Sequence, residues 1–495
     1  MKKITLFALL GTVHKLLNLL LLRKQKTFVI LIVISINVII YSQSTWQKIF
    51  PQYYGSVTKV LQASDNNFIS LGDVRVNNYY TMQIMKYSQD GNVLWDKLIG
   101  KGDCQSYWIS NTRDSCLIFG GSIDSGFGRI CYLAKMNLNG DIIWEKAYTN
   151  FSHCYFINQT SDDGYVISAK TDELYEKFKL VKLSNTGLIQ WEKIYGEPLK
   201  RTHILEIKLL QDGYIGAGWV SAGGQSGDML VIRTNTSGDS IWTRKYGGNY
   251  SDGGYSIDNC PGGFVIAGDS RSFDSTHKSQ SYIVKIDNNG SVIWEKCYSG
   301  LGTEFARSIK YKSSIGFVMA GYSDTLDNGI DVAKLRFIDL NGNNYFENSL
   351  LPNSQQSIFK SIELTSDNGF ILGGYVAYVG AFVNSYVAKT DQFGYSNPIG
   401  LNIISSEIPG KFILHQNYPN PFNPVTKIKF ELPKSSGIEF NVNDILGRKV
   451  YTAYYNKPAG TYEFDFDASG FASGIYFYSF KAGEYYDTKK MIILK

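Results

Sequence analysis

The sequence has little charge and few histidines. Asp, Glu, Lys and Arg make up 19% of its 495 residues, and five residues are histidine. The motifs G-x-S-x-G, H-E-x-x-H, C-x-x-C, the P-loop and the EF-hand loop are absent, which removes the enzyme and metal-binding classes that they mark. The histidines are also scattered, so we predict neither a metal site nor a cofactor; they are His14, His153, His203, His277 and His415.

Net charge is nearly absent from the body of the chain. The formal net charge is +5, but six of the 49 basic residues and none of the 44 acidic residues lie in residues 1–42. The remainder therefore holds 43 basic and 44 acidic residues, so its net charge is −1. A nucleic-acid-binding protein needs a basic surface that this body lacks.

The basic N-terminal segment has the layout of an export signal. The stretch "RKQK" is followed by the apolar run "TFVILIVISINVII" and by the exit "YSQS", which predicts a signal peptide at residues 1–42, cleaved between Ser42 and Gln43. The alternative is a retained membrane anchor that includes the earlier stretch "ITLFALLGTVHKLLNLLLL", although polar residues interrupt it and the later run is short for a span. With cleavage, no permanent membrane span is expected. No Cys follows the exit, which argues against a lipoprotein.

Cysteine is scarce and irregularly placed. None of the six cysteines recurs at a fixed repeat position; they are Cys104, Cys116, Cys131, Cys154, Cys260 and Cys297. An exported protein can form disulfides. The irregular spacing favours buried free thiols, with one or two disulfides left open.

The abundant residues are those of short strands and tight turns: 35 Tyr, 28 Phe and 48 Gly. Seven glycines recur 47 to 52 residues apart, at Gly91, Gly140, Gly187, Gly238, Gly290, Gly342 and Gly394. An aromatic residue follows the first six by four positions, at Trp95, Trp144, Trp191, Trp242, Trp294 and Phe346. Each unit contains four short apolar stretches separated by turn residues and no helical period, which is typical of a β-propeller blade.

The seventh unit lacks its aromatic strand, and the N-terminus holds an unmatched one. "STWQKIF" (44–50) places Trp46 49 residues before Trp95. Because unpaired edge strands invite aggregation, a propeller gains from closing its ring. The sequence therefore predicts an all-β protein with a seven-bladed propeller over residues 44–396, closed by the strand of Trp46.

Six of the eight tryptophans share one repeat position, which favours packing between neighbouring blades over a catalytic role. The stretch "D-x-x-G-x-x-x-W" (287–294) resembles the tryptophan-docking turn of quinoprotein propellers and, more loosely, the Asp-box of sialidases. It lacks one residue before Gly290 relative to the first, and its Gly stands one place early relative to the second. The units are most similar to bacterial exported propeller repeats of unassigned activity.

The composition changes after a linker predicted at residues 397–411. Residues 412–495 contain "NYPNPFNP", "DILGRKV", "ASGIYFY" and a terminal "KKMIILK". This region closely resembles the C-terminal sorting domain of type IX secretion substrates. The resemblance implies recognition by the outer-membrane translocon, common removal afterwards, and release or attachment to surface lipopolysaccharide. It assigns the sorting signal to Pro419, Asn420, Pro421, Phe422, Asn423, Gly447, Gly474, Lys489 and Lys490.

Alternating apolar residues in "KIKFELP", "IEFNV" and "YEFDF" independently predict about seven short strands in an immunoglobulin-like sandwich. The alternative is an ordinary adhesive module.

Most carboxylates stand beside Gly or Asn at turns, where they cap the backbone. Asp252 and Glu304 each follow their Trp by ten residues, a position predicted to face the mouth of the channel, where paired acids would suit a glycosidase.

These observations are compatible with two functions. The first is a non-catalytic, secreted or surface propeller, expected to be a monomer, that binds a glycan or protein ligand through loops such as "GGQSGD" and "SFDSTHKSQ". The second is a polysaccharide hydrolase or lyase acting through those carboxylates.

Overall fold

The computed structural model describes residues 44–494, except for positions 101, 223–226, 301, 325–326, 328, 351–355, 378–382, 397–401, 406–407, 424, 435, 458 and 469–470. The predicted signal peptide, with Ser42 and Gln43, lies outside the described residues. All regular elements in the described part are β-strands. No helix there is long and apolar enough to cross a membrane.

The first strand belongs to two successive units. β1 (Trp46–Gln62) pairs through its second half, from Tyr54 onward, with the next strand in an antiparallel hairpin. Two further antiparallel strands follow, so that unit 1 comprises the second half of β1, β2 (Phe68–Val76), β3 (Tyr79–Tyr87) and β4 (Val93–Ile99).

Five further units each form a separate four-stranded antiparallel sheet. Unit 2 has β5 (Cys104–Asn111), β6 (Leu117–Asp124), β7 (Arg129–Met136) and β8 (Ile142–Tyr148). Unit 3 has β9 (His153–Gln159), β10 (Tyr165–Lys170), β11 (Phe178–Leu183) and β12 (Ile189–Tyr195). Unit 4 has β13 (Lys200–Leu210), β14 (Gly213–Ala222), β15 (Gly227–Thr234) and β16 (Ser240–Tyr246). Unit 5 has β17 (Asp252–Cys260), β18 (Gly263–Ser270), β19 (Gln280–Ile286) and β20 (Val292–Tyr298), and unit 6 has β21 (Glu304–Lys312), β22 (Gly316–Ser323), β23 (Val332–Ile338) and β24 (Asn344–Ser349).

The last unit takes its fourth strand from the N-terminus. Unit 7 has β25 (Gln356–Leu364), β26 (Phe370–Ala377) and β27 (Val383–Thr390). The first half of β1 lies antiparallel on β27, with Trp46 opposite Lys389 and Phe50 opposite Ser385. The seven repeat units therefore begin and end in one continuous sheet.

The first strands of the units contact one another in a closed cycle: β1, β5, β9, β13, β17, β21, β25 and again β1. The apolar core lies between neighbouring sheets rather than at a single centre. One cluster joins Leu71 and Ile84 of unit 1 to Ile109 and Phe119 of unit 2, and similar clusters join the other neighbours. Second and third strands, buried on both faces, are accordingly almost continuously apolar, as in "GFVIAGDS" of β18.

Strand direction fixes which connections share an end of the cycle. Each second strand runs antiparallel to its first strand, so the loop after the second strand lies at the end where first strands begin. The longest such connections join β10 to β11, β18 to β19 and β22 to β23. The opposite end carries the turns that follow the third strands, each of which contains a repeat glycine.

The C-terminal region consists of two further β-sheets. One sheet has β29 (Ile413–Leu414), β30 (Val425–Leu432), β33 (Gly460–Asp467) and β28 (Asn402–Ser405), and the other has β32 (Lys449–Lys457), β31 (Ser436–Asp444), β34 (Gly474–Ala482) and β35 (Tyr485–Ile493). The sheets share one apolar core, in which Phe440 meets Phe464 and Phe430 meets Phe480. Residues 402–405, assigned above to the linker, differ from that prediction because "NIIS" adds a strand to the edge of β33.

Candidate functional site

Every first strand contains one β-bulge at the corresponding position. The residue inserted by the bulge has no opposite partner in the second strand; these bulge residues are Thr58, Tyr107, Tyr155, Leu205, Tyr255, Arg307 and Lys360. A bulge bends its strand and redirects a side chain, and bulges are enriched beside binding sites. Here they supply one side chain per unit to the middle of the cycle rather than to the cores between sheets.

Six of the seven bulge residues line one cavity of about 470 Å³, the central cavity. Its other lining residues are Trp108, Tyr322, Ile358 and Tyr375. The seventh bulge residue, Tyr255, stands next to the lining, with its ring 4.4 Å from the guanidinium carbon of Arg307. The cavity lies at the end where the first strands begin, so it opens among the loops that follow the second strands.

One side of the central cavity is aromatic. Tyr107 and Tyr155 lie edge to face at 4.9 Å, and His153 approaches both rings at 5.8 Å. His203 lies 5.6 Å from Tyr155 and stacks on Trp219 at 4.2 Å. The two tryptophans outside the repeat position, Trp108 and Trp219, thus both belong to this region.

The two histidines beside this wall are held neutral. Burial lowers the pKa of His153 and of His203 to about 4. Glu176 accepts from His203 at 3.1 Å and pairs with Lys170 at 2.7 Å. The histidines therefore present uncharged rings at neutral pH.

The other side of the cavity is cationic. Arg307 lies against three rings, at 4.4 Å from Tyr255, 5.2 Å from Phe305 and 5.4 Å from Tyr322, and it donates to the Tyr322 hydroxyl at 2.9 Å. Lys360 is half-buried, with its Nζ 5.5 Å from the Tyr375 ring. These two cations come from neighbouring units.

Two carboxyl groups stand behind these side chains. Burial raises the pKa of Asp73 to about 6, although the backbone N–H of Ser106 donates to it at 2.6 Å. Burial also raises the pKa of Asp269, which accepts a hydrogen bond from the Tyr255 hydroxyl. Neither carboxyl belongs to the cavity lining.

Further along the first strands, the centre of the cycle is closed by ion pairs. Lys310 lies 2.7 Å from Glu363 and 3.9 Å from Glu206, and Lys59 lies 3.0 Å from Glu363. Lys208 joins Glu206 at 3.0 Å and Asp258 at 3.2 Å. Despite their burial, the adjacent cations lower the pKa of Glu206 and Glu363 to about 2. Three cations and three anions thus neutralise each other beneath the cavity.

The two carboxylates predicted to face the channel mouth are instead buried within the sheets, so that prediction was wrong. Asp252 is buried and accepts from Ser272 and the backbone of Gly248, both at 2.8 Å. Glu304 is buried against Arg336 at 2.7 Å. Each carboxylate satisfies groups inside its own unit or sheet, and neither lines the central cavity.

The repeat tryptophans dock onto the following unit. The ring of Trp46 covers Gly91, whose φ is +80° and whose added Cβ would lie 2.5 Å from it, and its Nε1 donates to the Gln89 carbonyl at 2.9 Å. The same ring-on-glycine contact joins Trp95 to Gly140, Trp144 to Gly187, Trp191 to Gly238, Trp242 to Gly290 and Trp294 to Gly342. Phe346 contacts Tyr395, beside Gly394. Trp46 is buried, whereas the other five tryptophans are half-exposed.

Five of the nine predicted sorting residues lie in the terminal strand or contact its backbone. Asn420 donates to the Lys490 carbonyl at 3.1 Å and accepts from the Ile492 N–H at 2.9 Å. Phe422 is buried and pairs with the backbone on either side of Ile493, and Gly474 lies opposite Ile493 in β34.

The other sorting residues and the Lys489 side chain have separate surroundings. Pro421 and Asn423 are exposed, while the Pro419 carbonyl accepts from Thr426 at 2.6 Å. Lys489 pairs with Asp487 at 3.1 Å, and Gly447 closes a turn by donating to the Asp444 carbonyl at 3.0 Å. Residues 417–423 and the terminal strand therefore form one structural unit, whereas Gly447 lies in a different turn.

All six cysteines are free thiols, and Cys104, Cys131 and Cys154 are buried. Burial raises the pKa of Cys104 to about 11 and that of Cys297 to about 12, so these thiols are protonated at neutral pH. Within the described ranges, no group of three or more His, Cys, Asp or Glu side chains is arranged to hold a metal ion.

The bulge residues were missed in the sequence, although they leave a signal. Each stands two positions before a buried Ile or Val: Val60, Ile109, Ile157, Ile207, Ile257, Ile309 and Ile362. In a regular strand, residues two apart lie on one face. When all seven units are aligned on the buried Ile or Val, the residue two positions earlier varies in type among the units. That variation is the sequence signal of the bulge residue.

The C-terminal region has a recognisable relative. Residues 416–494 match the family model described as "Secretion system C-terminal sorting domain". The resemblance to type IX sorting domains stated above is therefore confirmed, and this protein is exported by type IX secretion to the cell surface or the medium. No curated protein matches the sequence.

Several solved structures are distantly similar to this chain. The β-propeller domain of the Trilobed protease from Pyrococcus furiosus is 9% identical, with 70% of this chain and 99% of that chain covered and a TM-score of 0.41. Sqt1 from Chaetomium thermophilum is 12% identical, with 68% and 83% covered and a TM-score of 0.43. A Bacteroides caccae protein of unknown function is 12% identical, with 54% and 90% covered and a TM-score of 0.36. Such distant similarities carry no conclusion about activity.

Proposed function

We propose that this exported protein is a non-catalytic binding protein whose seven-bladed propeller, residues 44–396, holds a glycan or protein ligand at the central cavity. The closed cycle of seven first strands and the pairing of β1 with β27 support seven blades closed by the N-terminal strand. The two-sheet C-terminal region supports an immunoglobulin-like sorting domain that the type IX translocon recognises.

The single observation that carries the binding function is the ring of bulge residues. Most side chains of the first strands either pack against a neighbouring sheet or join the ion pairs, whereas the bulge residues turn inward to one cavity. A volume of about 470 Å³ with aromatic walls and a few polar groups is typical of a small-molecule or glycan subsite. The ion pairs below close the floor, so a ligand enters from the loop-bearing end.

The lining also favours binding over hydrolysis. Glycosidases of the usual kind need two carboxyl groups flanking the scissile bond, and none of the ten residues that line the central cavity is Asp or Glu.

We keep a polysaccharide hydrolase or lyase as the second candidate because of Asp73. Its carboxyl, with a pKa of about 6, would exchange protons near neutral pH. It interacts electrostatically with Lys360 and Tyr107, which both line the cavity.

The test combines a glycan array with a turnover assay on the arrayed polysaccharides. We expect binding without turnover, and we expect Tyr155→Ala to weaken it at least tenfold by removing part of the aromatic wall. Phe393→Ala is the matched control, since Phe393 is exposed on a turn at the opposite end. Turnover that Asp73→Asn abolishes would favour the enzyme, and binding insensitive to Tyr155→Ala would contradict the cavity as the site.

A further inference from the structure

The two cations of the central cavity differ from the other cations at the centre of the cycle. Lys59, Lys208 and Lys310 are each within 4 Å of a carboxylate. Within the described part of the chain, neither Arg307 nor Lys360 forms an ion pair. Asp269 acts electrostatically on Arg307, and Asp73 on Lys360, from behind the cavity lining, but neither carboxyl lies within ion-pair distance. Burying a cation without a direct carboxylate contact is costly, so a pair of such cations in a cavity marks a place where an anion would be stabilised.

Arg307 is held in position by neutral groups. Its guanidinium lies over Tyr255 at 4.4 Å and donates one hydrogen bond to the Tyr322 hydroxyl at 2.9 Å. A guanidinium has five N–H donors in a planar fork that matches two oxygens of an anion. The rings therefore fix the plane of the group while leaving donors for a ligand.

Lys360 lies in the adjacent unit, and the positive charge of Arg307 affects its pKa. Burial lowers the pKa of Lys360, Asp73 opposes this effect, and Arg307 adds to it. The two cations thus repel each other across the cavity. An anion between them would replace this repulsion by two attractive contacts.

The aromatic wall indicates what the anion is attached to. Tyr107 and Tyr155 belong to units 2 and 3, and Arg307 belongs to unit 6. Two units lie between the tyrosines and Arg307 in either direction around the cycle. A ligand that reaches both sides needs an anionic edge and a ring-shaped body. The wall histidines are neutral, so this side adds no competing charge.

We propose that the central cavity selects an anionic sugar unit, with a carboxylate or sulfate ester on a pyranose ring, whose charge contacts Arg307 and Lys360 and whose ring packs on Tyr107 and Tyr155. This inference rests on the proposed binding function. It adds the chemical class of the ligand and the residues that discriminate it from neutral sugars.

The test is calorimetric titration of the mature protein with an oligogalacturonate, a sulfated galactose oligomer and the uncharged galactose oligomer of equal length. We expect at least one anionic oligomer to bind tenfold or more tightly than the neutral one. Arg307→Gln and Lys360→Met should each remove that preference, and Arg307→Lys should retain part of it. Arg244→Gln is the control for loss of one positive charge, because Arg244 is exposed on the fourth strand of unit 4.

The outcomes separate this inference from the proposed function. Neutral and anionic oligomers that bind equally, with affinity lost in Tyr155→Ala, would overturn the anionic selectivity and leave the binding function standing. No binding of any oligosaccharide on the array or by titration would count against both. Inorganic sulfate or benzoate that competes as well as the oligomer would overturn the sugar assignment. If Arg307→Gln fails to fold, Lys360→Met decides, because its flexible side chain makes fewer ring contacts.

Discussion

The tryptophans of the repeat should not be energetically equivalent, and Trp46→Ala tests this most directly. Trp46 is 6% exposed, contacts Phe68 at 5.9 Å and Tyr87 at 5.7 Å, and covers Gly91. Replacing a buried Trp by Ala in a core costs about 3–5 kcal/mol. The lost hydrogen bond to the Gln89 carbonyl contributes about 1 kcal/mol of this total.

Trp242 is the matched comparison, because it occupies the same repeat position on an internal unit. Its ring is half-exposed, with an Nε1 hydrogen bond of 3.3 Å to Asn288 and Arg244 6.0 Å from the ring. Since part of the ring is already in contact with water, we expect Trp242→Ala to cost less than Trp46→Ala, about 1–3 kcal/mol. This differs from the uniform cost that a shared repeat position alone suggests.

The measurement is urea unfolding of the mature protein followed by intrinsic tryptophan fluorescence. All eight tryptophans lie between residues 46 and 294, so the signal reports on the repeat region and not on the sorting domain. Trp46→Ala should lower the unfolding midpoint more than Trp242→Ala, with an unchanged slope. Equal losses, or a larger loss for Trp242→Ala, would refute the argument that Trp46 secures the junction between the first and last units.

Three further perturbations address the channel, the cavity and the sorting domain. Lys310→Met should cost about 3–5 kcal/mol by leaving the three carboxylates of the ion-pair cluster with only the two cations Lys59 and Lys208, measured by the same unfolding assay. Lys48→Met, at a more accessible position, should be nearly neutral. Because the pKa of Asp73 is raised, the folded state holds its proton more tightly than the unfolded chain, so wild-type stability should fall as pH rises from about 4 to about 6. Asp73→Asn should remove about 2–3 kcal/mol of that dependence, and an unchanged pH profile would contradict the pKa. Deleting residues 489–495 should unfold the C-terminal sandwich, leave the fluorescence transition of the repeat region in place and retain the protein in the periplasm, as judged by fractionation and protease accessibility of intact cells.

The features that could be predicted from the sequence are those marked by the same residue type at the same position of each repeat. The glycine and tryptophan positions predict strand spacing, and the structure gives their reason, since each Trp lies on the glycine of the next unit rather than on that of its own. The strand of Trp46 could likewise be recognised because it is a complete copy of a repeated element. Such signals need no knowledge of which units are neighbours.

The cavity could not be predicted in the same way because it depends on register. A β-bulge is a mismatch between two strands, so the inward direction of Arg307 follows from the pairing of β21 with β22 and not from its neighbours in sequence. The assumption that Asp252 and Glu304 face the channel failed for the same reason: each stands three residues before its bulge residue, and its side chain is buried in the protein.

The bulge gives the fold a position where ligand contacts can vary without changing the blades. Two residues after each bulge, a buried Ile or Val packs between sheets in all seven units, whereas the bulge residues include Thr, Leu, Arg, Lys and three Tyr. A side chain that lines the cavity lies outside the cores between sheets, so its identity can follow the ligand without altering how the sheets pack. The cations of units 6 and 7 and the tyrosines of units 2 and 3 are therefore the residues through which this propeller would acquire its specificity, and the neutral ion pairs beneath them supply a rigid floor that requires no ligand to be stable.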